Sequence, residues 1–392
     1  MRAESMGLAT TPSARRLVLI DDATPDRARR LSELVEAADG SVIALDIEED
    51  REFGYNPRVA LVQVTVGDVD YVIDPVLAPY EEIAPAIEAL SIMPAAVVLH
   101  GCRNDVVGLK RDFGIAPTVV CDTQLAARFV GLEAFGLAAL VKQHFGVDLD
   151  KELRRSNWLD RPMSAAQIDY ARQDTQHLVA LWETLSAAVD AAGWSDALEE
   201  ECDAMAALEP PASEYDPDGW RSMKGIRELE PAQLARVPAL WAWRDRAAAT
   251  VDRHPSRVVP PWALLQLARH GVRALERSDR AVPVRLSDQM RAELERALEH
   301  TTPPPRAKRA NGSGAAQRPG DFEARLQRLC RWRDEVAAQS GLDPGFLAPR
   351  SLLEALASLR APDPATVDAV PNVRRWRTSR WTRAWLDALG AR

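Results

Sequence analysis

Two stretches of this 392-residue chain cannot continue a packed helix or strand, and they set what it can fold into. Residues 209–219 read EPPASEYDPDG and residues 301–320 read TTPPPRAKRANGSGAAQRPG. Clustered Pro, Gly and small polar residues interrupt any hydrogen-bond ladder and favour linkers. The chain is also too long for one ordinary core. The breaks therefore predict a first domain over 1–208, a linker over 209–221, a helical domain over 222–300, a flexible linker over 301–320 and a second helical domain over 321–392. No apolar run approaches the roughly 20 residues needed to cross a bilayer, and none precedes a cleavage site at the start. The expected address is the cytoplasm, with no membrane partner. Cys102, Cys121, Cys202 and Cys330 lie far apart without a C-x-x-C pair, which predicts reduced thiols rather than disulfides or a zinc site.

A formal net charge of -9 argues against a nucleic-acid partner only if it is spread evenly. It is not. Residues 1–222 carry 19 Lys and Arg against 39 Asp and Glu, whereas residues 301–392 carry 16 against 9. An acidic front concentrates divalent cations, and a basic back holds phosphates that the front would repel.

Short apolar runs alternate with helical patterns in the first piece, the mark of an α/β domain. Thr24 and Pro25 read as the N-cap and first residue of a helix that Gly40 ends. Val42 to Ile47, Val59 to Val66 and Tyr71 to Ile73 read as a meander of strands, and Ala96 to Leu99 and Thr118 to Cys121 as later strands of the same, mixed sheet. Ser164 and Gln167 form an S-x-x-Q capping box that opens a helix running to Leu185.

Three elements carry candidate chemistry. Asp46 and Glu48 stand two apart at a strand end, so the period of two puts both carboxylates on one face. Adjacent buried acids are costly unless a cation neutralises them, and a hard divalent metal is the usual cation. Asp105 follows the run ending at Leu99 and falls in the first turn of a helix through Val106, Val107 and Leu109, where capping is its bland role. Tyr170 and Asp174 are four apart on the helix that Ser164 opens, so both project from one face. Each element alone is ordinary; their order and spacing are not.

Together they resemble the 3′-5′ exonucleases that use four acids and a tyrosine, and in particular the ribonuclease D family. The resemblance rests on ALDIEED, LVQVT, VIDP, VVLHGCRND, LAALVKQHFGVDLDK and SNWLDRPMSAAQIDYARQD, and runs from about Val42 to Leu185. It implies a ribonuclease H-like α/β exonuclease domain with a mixed sheet, followed by all-α domains of the HRDC type. It further implies that Asp46, Glu48 and Asp174 bind one metal, that Asp46 bridges to a second which Asp105 helps to hold, and that Tyr170 orients the attacking water. Two hard ions roughly 3.5–4 Å apart suit phosphodiester hydrolysis, and an all-oxygen ligand set implies Mg²⁺ or Mn²⁺ rather than zinc. Where the family carries an aromatic residue after D-x-E, this chain has Glu49 and Asp50. Stacking on the terminal base is then altered or comes from Phe53 or Tyr55.

Further nucleic-acid contacts are expected at His100, beside the site, and in the loop before the Tyr170 helix. There Lys151, Arg154 and Arg155 offer cations, and Trp158 either stacks a base or covers the core. Residues 222–300, with Trp243 among their apolar positions and Trp220 just before them, resemble an HRDC domain. Residues 321–392 look like a second, diverged one. Near its end Arg374, Arg375, Trp376, Arg377, Arg380, Trp381, Arg383 and Trp385 make the most basic and aromatic stretch of the chain. The Trp residues suit a core, and part of the Arg set, including Arg374, Arg375 and Arg377, suits phosphate. The expected function is an exoribonuclease that acts as a monomer on tRNA-like 3′ ends and releases nucleoside 5′-monophosphates. A single-strand DNA exonuclease and a nucleic-acid-binding scaffold are the alternatives.

Overall fold

Ile43, Leu45 and Ile47 alternate with Ala44, Asp46 and Glu48 along β2 (Ile43–Asp50), which gives the strand an apolar face and an acidic one. A computed structural model of the chain, describing residues 15–150, 152–212, 215–271, 273, 286–299 and 319–390, places this strand inside a six-stranded sheet. The other strands are β1 (Arg16–Ile20), β3 (Arg58–Val66), β4 (Val69–Ile73), β5 (Val97–Leu99) and β6 (Val120–Asp122), in the order β1-β4-β3-β2-β5-β6. The sheet is mixed as expected: β3 runs antiparallel to β4, while β1 pairs with β4, β5 with β2, and β6 with β5, all in parallel. Strand β1, on the edge, is an addition to the strands read from the sequence. The Thr24 hydroxyl bonds back to Asp21 rather than capping a helix, so α1 (Arg27–Ala38) starts later than expected.

One face of the sheet is covered by α1, α2 (Tyr80–Ile92) and α3 (Arg103–Phe113), whose Leu31, Leu34, Ile87 and Leu109 join Leu45, Val62, Val64 and Ile73 in one core. Next come α4 (Thr123–Phe129) and α5 (Leu137–Phe145). The opposite face meets α6 (Ala165–Gln176) and α7 (Leu178–Ala191). The sequence reads these last two as one helix; the structure breaks it at His177. The break lets α6 lie on β4 while α7 turns to pack against β5 and α4.

By contacts the chain forms two units: residues 1–48, 59–209 and 316–392, and residues 49–58 and 210–315. The C-terminal module therefore groups with the sheet, although the sequence reads it as a separate domain. The second unit has α9 (Val237–Thr250), α10 (Pro261–His270) and α11 (Asp288–Leu298) around Trp243, Leu264 and Leu294, and α8 (Ser195–Ala206) belongs to the first. Segment 49–58 is part of the second unit's own structure. Tyr55 packs on its core and donates to Asp245 (2.9 Å), and the Phe53 ring lies 3.8 Å from the Arg257 guanidinium carbon. Both aromatics, which the sequence offers as stackers of a terminal base, have partners inside the unit. Most of the linker over 301–320 lies outside the described residues.

In the C-terminal module α12 (Phe322–Ser340), α13 (Arg350–Ala357) and α14 (Arg375–Leu389) pack around Leu329, Leu353, Leu356 and Trp385. Its attachment to α8 is polar and buried. Glu201 accepts from Trp376 Nε1 (2.9 Å), Arg377 Nη1 (2.8 Å) and Arg374 Nε (3.2 Å), and Glu200 accepts the backbone N–H groups of Arg375 and Trp376 at the start of α14. Trp376 itself packs edge-on against Phe129 and Trp194. Burial alone would raise the Glu201 carboxyl, but Arg377, Trp376 and Arg374 outweigh it and hold it below its ordinary value. All four cysteines are free thiols, and no described helix is long and apolar enough to cross a membrane.

Breaking a buried ion pair from one side leaves an uncompensated charge. Glu201→Ala should therefore destabilise the unit by about 3–5 kcal/mol, read from urea unfolding followed at the tryptophans. A loss under about 1 kcal/mol, the range of an exposed pair, would show that this contact does not hold the module.

Candidate active site

Three elements converge where β2 and β5 end. Strand β2 supplies Asp46 and Glu48, the first turn of α3 supplies Asp105, and α6 supplies Tyr170 and Asp174. Asp46, Glu48 and Asp174 each offer a carboxylate oxygen within 4.8 Å of the others. Asp105 is buried behind them; it hydrogen-bonds Asp46 and accepts the Ile47 N–H at 3.2 Å. The structure thus brings together all five residues expected at the centre.

Their electrostatics follow from that crowding. Burial, then Asp105, Asp174 and Glu48, push the Asp46 carboxyl well above the carboxylate range. Burial and the neighbouring Asp174 and Asp105 raise Glu48 to about 9, and burial raises Asp174 to about 7. Burial, with Asp174, Glu48 and Asp46, also pushes up the Tyr170 phenol, which stays protonated at neutral pH. Arg154, exposed on the 3-10 turn Glu152–Arg155, opposes the shifts at Glu48, Asp174 and Tyr170. Among the described side chains of that loop, it is the cation whose charge reaches the cluster. An all-carboxylate set held this close fits a hard divalent cation, which would draw the carboxyls back to their charged form.

Helix α6 is pinned so that Tyr170 and Asp174 cannot drift. The capping box of Ser164 and Gln167 forms as expected. Asp70, fully buried on β4, accepts from Arg172 (3.0 Å) and Gln176 (2.8 Å) of α6, and from Arg15 (2.9 Å). The Thr175 and Thr65 hydroxyls meet at 2.7 Å. Ahead of α6, Arg161 clamps the carboxylate of Asp74 with both Nε (2.6 Å) and Nη2 (2.8 Å). Nothing in the local sequence marks Asp70 or Arg172 as this anchor, because their pairing spans a hundred residues of chain.

Several expected nucleic-acid contacts are corrected. Trp158 is 3% exposed and its ring lies 5.8 Å from that of Tyr170, so it covers the core instead of stacking a base. Arg377 is buried, and both it and Arg374 bind Glu201; of the three arginines only Arg375 keeps an exposed side chain. His100 bonds Thr123 Oγ1 through Nδ1 (2.9 Å), and that hydroxyl donates to the Leu99 carbonyl. The hydroxyl has one proton, so Nδ1 carries the imidazole's and Nε2 is a shielded acceptor. Burial lowers the His100 pKa and keeps it neutral. With both ring nitrogens bonded or shielded, it is not a phosphate contact. Lys151 lies outside the described residues.

Raised carboxyl pKa values have a definite sign in stability. A folded state that holds its protons more tightly than the unfolded chain is favoured at low pH and loses that advantage as pH climbs through the folded values, here about 7 for Asp174 and about 9 for Glu48. In excess chelator the unfolding midpoint should fall between about pH 5 and about pH 9. Asp46→Asn should flatten the slope and Mn²⁺ should restore the loss. A chelator-treated protein whose midpoint rises over that range would contradict the assignment.

Comparisons with known proteins agree with this geometry. A family model described as 3′-5′ exonuclease matches residues 23–190, and the HRDC domain model matches residues 322–389, the module that the sequence reading treats as the more diverged. Ribonuclease D of Haemophilus influenzae is 30% identical over 59% of this chain and 58% of its own length, so the chain matches under two thirds of that relative. Ribonuclease D of Xanthomonas oryzae pv. oryzae is 31% identical over 91% of this chain and 94% of that protein. The crystal structure of Escherichia coli RNase D, "an exoribonuclease involved in structured RNA processing", superposes with a TM-score of 0.64 at 25% identity, over 96% of this chain and 99% of that one. With its four acids and tyrosine assembled on a matching fold and its near full-length likeness to the Xanthomonas protein, the chain belongs to the ribonuclease D family.

Proposed function

We propose that the chain is a metal-dependent 3′-5′ exoribonuclease that trims structured RNA, tRNA precursors above all, and releases nucleoside 5′-monophosphates. The observation that carries the reading is the convergence of Asp46, Glu48 and Asp174 within 4.8 Å, with Asp105 bonded behind Asp46. Those four acids would hold Mg²⁺ or Mn²⁺, two ions in all. Bound there, the ions would supply the charge that activates a water and stabilises the leaving 3′ oxygen.

The chain's own residues do the positioning. Asp46, Glu48 and Asp174 set where the scissile phosphate must lie. Tyr170, protonated and one helical turn from Asp174, donates a hydrogen bond that orients the attacking water and does not remove its proton. Trp158 packs against the Tyr170 ring. Arg154 offers a guanidinium to a phosphate approaching an otherwise negative site. A preference for RNA draws on the family and on the description of the Escherichia coli protein, since carboxylate chemistry does not itself inspect the 2′ hydroxyl.

The test is nucleotide release from a 3′-extended tRNA, the matching DNA and a 3′-blocked RNA, in Mg²⁺ or Mn²⁺. Stepwise release of 5′-monophosphates from the open RNA is expected, with none from the blocked one. Asp46→Asn should abolish release, and Tyr170→Phe should slow it on the order of 10²-fold or more. Equal rates on DNA would replace the RNA reading with a general single-strand exonuclease, and no release with either metal would reject the enzyme.

A further inference from the structure

Gln63, in the middle of β3, is fully buried, and among the described residues neither its Oε1 nor its Nε2 has a hydrogen-bond partner. A carboxamide removed from water without partners is costly, and a methionine or leucine would fill similar space without that cost. Such a group in a native core calls for a partner that the fold alone does not supply.

Its surroundings identify the partner. Val62, Val64 and Val66 pack with α1, α2 and α3, so Gln63, like Leu61 and Thr65, points to the other face of the sheet. The same alternation puts Asp46 and Glu48 on that face of β2, the next strand. On the other side Gln63 is paired with Val72 of β4, which packs with Tyr170 and Ala171 of α6. Two residues along β3, Thr65 meets Thr175. Gln63 therefore lies beneath α6, between its Ala171 and Thr175 contacts, under the turn that carries Asp174.

We propose that Gln63 is a positioning residue of the metal centre: its Nε2–H donates to a carboxylate oxygen of Asp46 or Asp174. Metal-binding carboxylates are themselves held by hydrogen bonds from behind, and losing such a partner weakens metal binding. In the metal-free chain Asp46 hydrogen-bonds Asp105, and the amide makes no bond to either ligand. The inference rests on the divalent-metal reading of the cluster.

The experiment uses the full chain with Gln63→Met, which keeps the length of the side chain, and Gln63→Leu as a second apolar replacement. Mn²⁺ affinity is measured by the electron paramagnetic resonance signal of the free ion, and thermal unfolding is followed in chelator. Mn²⁺ should bind about 10–100-fold more weakly to both variants, while the midpoint in chelator stays the same or rises because an unpartnered amide has been removed from the core. Affinity within about twofold of the parent's, well short of the loss expected for such a partner, would overturn the proposal. A midpoint lower than the parent's in both variants would overturn it as well, by showing that the amide is already satisfied within the fold. The parent and Asp46→Asn separate the two readings. If neither binds Mn²⁺, the metal reading itself has failed; if the parent binds and Gln63→Met binds equally, only this inference has.

Discussion

Asp46, Glu48 and Asp174 bring carboxylate oxygens within 4.8 Å of one another where the fold has taken much of the water away, and Asp105 adds a fourth acid in hydrogen-bond contact with Asp46. Like charges at that spacing in a low dielectric repel strongly, so the arrangement is either protonated or neutralised by a cation. Left free, α6 could relieve the repulsion by moving away from β2. The buried Asp70 opposes this movement: it draws Arg172 and Gln176 onto β4 from the face of α6 that does not carry Asp174. One set of paired charges thus holds in place a second set that, among the described residues, no side-chain cation fully balances.

The same logic governs the C-terminal module. Its Arg and Trp residues have the composition of a nucleic-acid grip, yet Glu201 gathers Arg374, Trp376 and Arg377 into a buried joint with α8. A basic stretch reads as a phosphate surface only if no acid of the same chain reaches it first. Here Glu200 and Glu201 do, from an acidic helix remote in sequence. Arg154 shows the converse. It looks like one loop cation among several, but its turn sets it against Glu48, Asp174 and Tyr170.

Most of the site was legible in the sequence because its residues obey local periodicities. The two-residue period of a strand puts Asp46 and Glu48 on one face, the four-residue spacing of a helix aligns Tyr170 with Asp174, and the Ser164 capping box fixes the frame of that helix. The mixed sheet, the helical back half and the membership of the ribonuclease D family were legible on the same terms. Each depends on neighbours within a few residues or on the order of such patterns along the chain.

What only tertiary structure decided depends on pairings across long separations. These include the Asp70 anchor of α6, the attachment of the C-terminal module to the sheet unit through Glu201, the use of Phe53 and Tyr55 within the second unit, and the burial of Gln63 beneath α6. A residue's type shows what it can bond to, but which partner arrives is set by the packing of whole elements. The sequence by itself therefore determined which chemistry this chain carries. The tertiary structure decided which of its charges remain available to a substrate, because a charge buried against a partner in its own fold is no longer free to meet a phosphate.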